Sequence, residues 1–222
     1  MSTMELRLED GVHILTLTNG ANDNMLSLDV LKEYLAVFDE VELYRGNTAL
    51  MITCEHEKTW CNGINLPWMM QLPAEGVKEF MITLEDVLYR LAKLNMPTIG
   101  CINGNVYAGG AILASALDFR VMREDRGRFC FPEINIKIPF TPMMIDIIGL
   151  LPNKHSLKHL ALTGVAKTGS ECLEDNIVDA LFPMKSLQAG ALAYAKELAQ
   201  KDRGTYTTIK HLMRKNITNH GA

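Results

Sequence analysis

Residues Thr98 to Ala116 read TIGCINGNVYAGGAILASA. Thr98 to Ile102 is a short apolar run without polar alternation, the pattern of a strand buried on both faces. Asn103-Gly104 then turns the chain, and Tyr107-Ala108-Gly109-Gly110-Ala111 carries glycines into a helix of small residues from Ile112 to Ala116. A buried strand that feeds a helix through a glycine turn is the building unit of parallel α/β structure.

The same alternation extends on both sides. Upstream, Val77, Phe80, Met81, Leu84, Leu88 and Leu91 recur at helical spacing, and Asn95 with Pro97 ends that helix. Thr48 to Cys54 reads as another doubly buried strand, followed by a loop from Glu55 to Asn65. Before it, Ser27 is placed to cap a helix whose Leu28, Leu31, Leu35 and Phe38 face the core. Met4–Leu8 and Val12–Thr18 flank Asp10-Gly11 as a β-hairpin. Downstream, Asp118 to Met122 is a strand; beyond Pro142 the pattern is helical except for Val178 to Phe182, and the last clear helix spans Tyr206 to Asn216. Residues 1–150 thus read as an α/β core with right-handed crossovers. Residues 151–222 read as a mostly helical C-terminal region that packs on the core or on a neighbouring subunit.

Composition removes several classes of function. With 48% apolar and 22% charged residues among 222, the chain has the profile of a globular protein. Its 22 Lys and Arg against 26 Asp and Glu give a net charge of −4, which argues against nucleic acid as a partner. No basic leader and no apolar run of about 18 to 20 residues occurs, so the expectation is a cytoplasmic protein without a membrane span. Cys54, Cys61, Cys101, Cys130 and Cys172 form no Cys-x-x-Cys pair and read as free, buried thiols. A phosphate-binding loop, a dinucleotide fingerprint and a Gly-x-Ser-x-Gly elbow are all missing. His155 and His159 share a helix face without the Glu and third ligand of a zinc site, and are assigned to solvent. No metal and no cofactor is expected.

Two glycine turns remain, Trp60-Cys61-Asn62-Gly63-Ile64-Asn65-Leu66 and Tyr107-Ala108-Gly109-Gly110-Ala111. Each is read as following a strand, at the edge where α/β sheets bind ligands and where helix starts offer unpaired amides. Side by side they could form an oxyanion hole; each alone is equally ordinary turn chemistry. Glu133, in Phe129-Cys130-Phe131-Pro132-Glu133-Ile134, is either a desolvated base with a raised pKa or a strand-end carboxylate that points to water.

These three segments resemble the crotonase superfamily, the enoyl-CoA hydratase/isomerase family, over nearly the whole chain. The segment Lys58 to Leu66 is similar to the first oxyanion motif, usually Cys-Ala-Gly-x-Asp-Leu. Gly63 matches it, Asn62 and Asn65 depart from it, and the donated amide is that of Ile64. Ile102-Asn103-Gly104 through Gly109-Gly110 is similar to the second motif, with Gly109 as donor, and Asp118-Phe119-Arg120-Val121-Met122 continues the pattern. Glu133 stands at the position of a family catalytic glutamate. Hydratases of the family carry another glutamate where this chain has Ile112. Addition of water needs one group to activate it and another to manage the second proton, so Ile112 argues against hydration.

The resemblance implies a crotonase-like ββα spiral core with a helical C-terminal region. It implies a Δ3,Δ2-enoyl-CoA isomerase in which Glu133 is the single acid/base and the Ile64 and Gly109 amides hold an enolate. The wording around Met122-Arg123-Glu124-Asp125-Arg126-Gly127 also looks like the shorter plant isomerases. The alternatives are another crotonase reaction on an acyl-CoA (hydratase, hydrolase or decarboxylase) and a non-catalytic acyl-CoA-binding protein. The implied partner is an acyl-CoA thioester, with coenzyme A as part of the substrate. Lys58, Asn62, Leu66, Gly63 and Gly110 are the implied substrate-binding residues; Lys58 is either a phosphate contact or an ordinary surface lysine. Trp68, Met69, Phe140, Met143 and Met144 are candidates for an acyl pocket or for plain core. Relatives form trimers or hexamers, so the resemblance implies a homotrimer or hexamer, although many relatives continue past Lys215-Asn216 and this leaves room for a different lid and assembly.

Overall fold

The computed structural model describes residues 2–218. Its elements in order are β1 (Met4–Glu9), β2 (Val12–Leu17), α1 (Leu28–Leu43), β3 (Ala49–Cys54), β4 (Thr59–Cys61), α2 (Leu66–Met69), α3 (Ala74–Lys93), β5 (Thr98–Ile102), β6 (Asn105–Tyr107) and α4 (Gly109–Ala116). There follow β7 (Phe119–Arg123), β8 (Phe129–Cys130), α5 (Glu133–Ile136), α6 (Pro142–Ile148), α7 (Lys154–Thr163), β9 (Ala166–Lys167), α8 (Gly169–Glu174), β10 (Ala180–Phe182), α9 (Met184–Leu198) and α10 (Arg203–Met213).

The strands form two sheets. The larger has the order β1-β2-β3-β5-β7-β10, antiparallel between β1 and β2 and parallel elsewhere. The smaller has the order β4-β6-β8-β9, with β4, β6 and β8 parallel. Three successive units, β3-β4-α2, β5-β6-α4 and β7-β8-α5, therefore repeat one pattern: a strand in the large sheet, a strand in the small sheet, then a helix. This is the ββα spiral that the family resemblance implies. Both β9 and β10 lie beyond residue 150 and complete the two sheets.

The large sheet is buried on both faces. Leu50 and Ile52 of β3 join Leu31, Phe38, Leu84 and Leu88 on one side, whereas Ala49 and Met51 meet Leu187, Ala191 and Ala195 of α9 on the other. This removes the polar alternation that a one-sided strand would show. The segment Glu55 to Asn65 is not wholly loop, since it contains β4. A strand of three residues is too short to leave a period in the sequence, and β6, β8 and β9 escape reading for the same reason.

The C-terminal helix docks with an unusual inner face. Lys210 Nζ donates to Asp118 Oδ2 at 2.9 Å and to the Met96 carbonyl at 3.0 Å; Arg214 pairs with Asp118 Oδ1 at 2.8 Å, and Tyr206 donates to Oδ2 at 3.0 Å. Burial of Asp118 acts to raise its pKa, but the Lys210 and Arg214 charges outweigh it and hold the carboxyl below its usual range. Arg214 also caps carbonyls at the C-terminal ends of α3 and α4, Ala92 and Ala116.

Candidate active site

Three neighbouring strands of the small sheet each deliver one group to a common edge. β4 ends at Cys61 and is followed by Ile64, β6 ends at Tyr107 and is followed by Gly109, and β8 ends at Cys130 and is followed by Glu133. Tyr107 pairs with Cys130, so the β6 and β8 exits are level, whereas Cys61 pairs with Val106 after a register shift, so the β4 exit is offset by one residue. The turns read from the sequence as following the Thr48 and Thr98 strands thus follow the short second-sheet strands instead.

The first exit is fixed from behind. Leu26 N–H donates to the Gly63 carbonyl at 2.8 Å and Asn65 N–H donates to the Leu26 carbonyl at 2.9 Å. In such a bridge the residue between the two bonded groups turns its own N–H to the opposite side, so that of Ile64 faces away from Leu26. Asn24 braces the same loop, donating to the carbonyls of Thr59 and Trp60, and accepts from Cys61 Sγ at 3.1 Å through its own carbonyl. Gly63 has φ +79, and a Cβ on it would stand 2.6 Å from the nitrogen of Gly109. Only glycine allows this approach.

The second exit is strained. Ala108 holds φ 49 and ψ −127 at the start of α4, a conformation that is costly for a residue with a side chain. It aims the Gly109 amide, the first of α4, out of the helix toward the Ile64 turn. A Cβ on Gly110 would fall 2.3 Å from the Cys61 carbonyl, which locks α4 against β4. In the surrounding turns neither the Ile64 nor the Gly109 amide donates to a backbone carbonyl among the described residues.

The third exit carries the carboxylate. Phe129 and Phe131 are fully buried and stack edge-to-face, with centroids 5.5 Å apart, which anchors the backbone on either side of Cys130. Glu133 opens the one-turn helix α5, not a strand end, and Lys137 closes that helix at φ 61. The residue is 6% exposed. Its Oε2 is buried with no hydrogen-bond partner among the described residues. Burial raises the carboxyl pKa to about 7, opposed by a hydrogen bond from its own backbone N–H.

Asn62, Ile64, Leu66, Gly109 and Glu133 all line one cavity of about 460 Å³, together with Ile112. Gly63 and Gly110 lie behind its wall, where they set the backbone approach, and Lys58 is exposed outside it. Among the described residues lining it, Glu133 is the only carboxylate, and Asn62 and Tyr107 supply the other polar side chains. Sequence reading did not assign Met25, Tyr107, Ala108 or Met81 to the site. Of the acyl-pocket candidates, Met69 and Met144 are on the wall, whereas Trp68 stacks on Phe80, Phe140 on Phe131, and Met143 is core. All five cysteines are free and buried, with thiols pushed up to about 11 or 12 by burial. His155 and His159 are exposed on α7 as expected. No group of metal-ligating side chains and no helix long and apolar enough to cross a membrane occurs among the described residues.

The arrangement joins two backbone donors, one protonatable carboxylate and an apolar wall, which suits removal and return of a proton next to a carbonyl. Enoyl-CoA delta isomerase 3 of Arabidopsis thaliana is 28% identical over 186 residues, 81% of this chain and 76% of its own. Ethylmalonyl-CoA decarboxylase of Mus musculus is 29% identical over 202 residues, 88% of this chain and 60% of its own. The crystal structure of an enoyl-CoA hydratase from Bacillus anthracis shares the fold with a TM-score of 0.89 at 22% identity, covering 97% of this chain and 84% of that one. The family model for enoyl-CoA hydratase/isomerase matches residues 7–222. The chain belongs to the enoyl-CoA hydratase/isomerase family, the crotonase family of enzymes that act on acyl-CoA thioesters.

Proposed function

We propose that the protein moves the double bond of a 3-enoyl-CoA to give the conjugated 2-enoyl-CoA. The observation that carries this reading is the single cavity carboxylate, Glu133, with a pKa near 7, facing a wall on which Ile112 is apolar. Ionised Glu133 takes a proton from C2, and the electrons pass into the thioester carbonyl. The resulting dienolate oxygen accepts hydrogen bonds from the Ile64 and Gly109 amides. The Glu133 carboxylic acid then returns the proton to C4, which leaves the double bond between C2 and C3 with no atom gained or lost. A pKa near the working pH serves both steps, because the group must be a base first and an acid next.

On this reading Asn62 and Leu66 flank the thioester, Gly63 and Gly110 act through backbone shape, and Lys58 meets a phosphate of coenzyme A from outside the cavity. A homotrimeric or hexameric assembly and a cytoplasmic location belong to the same proposal.

The test is incubation of the purified protein with a 3-enoyl-CoA and, separately, a 2-enoyl-CoA, with Glu133→Gln alongside and products identified by mass and ultraviolet spectrum. Conversion of the first substrate to its conjugated isomer at unchanged mass, lost in the variant, is expected. A product heavier by one water would establish hydration instead, and no turnover of either would leave hydrolysis, decarboxylation or acyl-CoA binding without catalysis.

A further inference from the structure

The cavity has two kinds of wall. Around the carboxylate and the oxyanion turns it is stiff: Ile64, Ile112, Pro132 and Pro139 have few side-chain conformations. The chain also brings methionines from four separate places to the same space: Met25 before α1, next to the Leu26 that bridges to Ile64, Met69 at the end of α2, Met81 on α3 and Met144 on α6. The chain has 13 methionines among 222 residues, so their convergence here exceeds their share of the sequence. Met25, Met69 and Met81 are half-buried and so keep freedom that the fully buried Met143 has lost. An unbranched thioether with three rotatable bonds repacks around occupants of different shape, which a β-branched side chain cannot do.

We propose that this methionine wall is the acyl-tail subsite and that Met69 and Met81 make it tolerant of chain length and of methyl branching. The stiff wall holds the reacting carbons, and the soft wall adapts to whatever follows them. This rests on the reading of the cavity as an acyl-CoA site, but not on the isomerisation itself.

Saturated acyl-CoAs, which have no double bond to move, separate the two. Calorimetry with hexanoyl-, decanoyl- and 4-methyldecanoyl-CoA is expected to give tighter binding with length, and the decanoyl chain and its 4-methyl derivative within about tenfold of each other. In Met69→Ile/Met81→Ile, hexanoyl-CoA affinity should stay within about threefold, which shows an intact fold, while the branched chain weakens by about tenfold or more. The single variant Met69→Ile stands in should the double variant not fold, with the same direction of change. A wild type that rejects the branched chain by more than about tenfold, or variants that keep the wild-type profile, would overturn the proposal. Broad binding without isomerisation would sink the proposed function alone; isomerisation with a narrow binding profile would sink only this inference.

Discussion

A Cβ built on Gly109 would stand 3.4 Å from the backbone nitrogen of Ile64. The turns that follow β4 and β6 therefore approach so closely that a single methyl group on Gly109 would touch both the Gly63 backbone and Ile64. Gly109→Ala meets no atom closer than 3.3 Å, so the variant should fold. The methyl should nevertheless shield the oxyanion position, and kcat should drop by about 10²- to 10³-fold. Stopped-flow kinetics beside acyl-CoA affinity decides this; an unchanged kcat would place the oxyanion elsewhere.

Glu133 must be ionised to accept a proton. With its carboxyl raised to about 7 by burial, the acid limb of log kcat/KM against pH should bend near 7 rather than near the ordinary glutamate value. A limb bending below about 5 would mean that the carboxylate is solvated in the working enzyme.

The same burial has a cost in stability. A carboxyl raised from 4.5 to about 7 binds its proton in the folded state where the unfolded chain has already lost it. Its contribution is therefore fully present below about 4.5 and lost as the pH rises through about 7. Glu133→Gln, which has no proton to lose, should gain on the wild type across that window, by no more than about 3 kcal/mol at pH 8. Urea unfolding at pH 4.5 and pH 8 measures it, and an equal difference at the two values would contradict the burial of an ionised group.

Asp118 is the shared counter-charge of Lys210 and Arg214. Asp118→Asn strands two buried cations and should cost about 3–5 kcal/mol, with α10 releasing first. Hydrogen exchange resolved by segment would show lost protection in Arg203–Met213; unchanged protection there would show that α10 is held by other contacts.

Much of the fold was legible because its main strands are extreme. β3 and β5 are apolar on both faces, and the glycine turns lead from the strands toward helices. The second sheet was not, since β4, β6, β8 and β9 are too short for periodicity and exist through lateral pairing alone. At the site, the apolar neighbours of Glu133 left it open between a desolvated base and a strand-end carboxylate, and its place at a helix start was hidden, because Pro132 and the left-handed Lys137 define that turn only in three dimensions. The strain at Ala108 was equally silent, as alanine carries no signature for a positive φ. Ser27 does precede α1, yet its side chain makes no capping bond, and α10 starts three residues before Tyr206, where Asp202 caps it through Thr205.

The three neighbouring strands of the small sheet also act as a ruler. Adjacent parallel strands keep a pitch of about 4.8 Å whatever their side chains, so the lateral spacing of the three chain exits that lead to Ile64, Gly109 and Glu133 is graduated by backbone pairing. Side chains can then drift freely across such a chain, changing what the cavity admits, while the dimensions of the reacting centre stay constant.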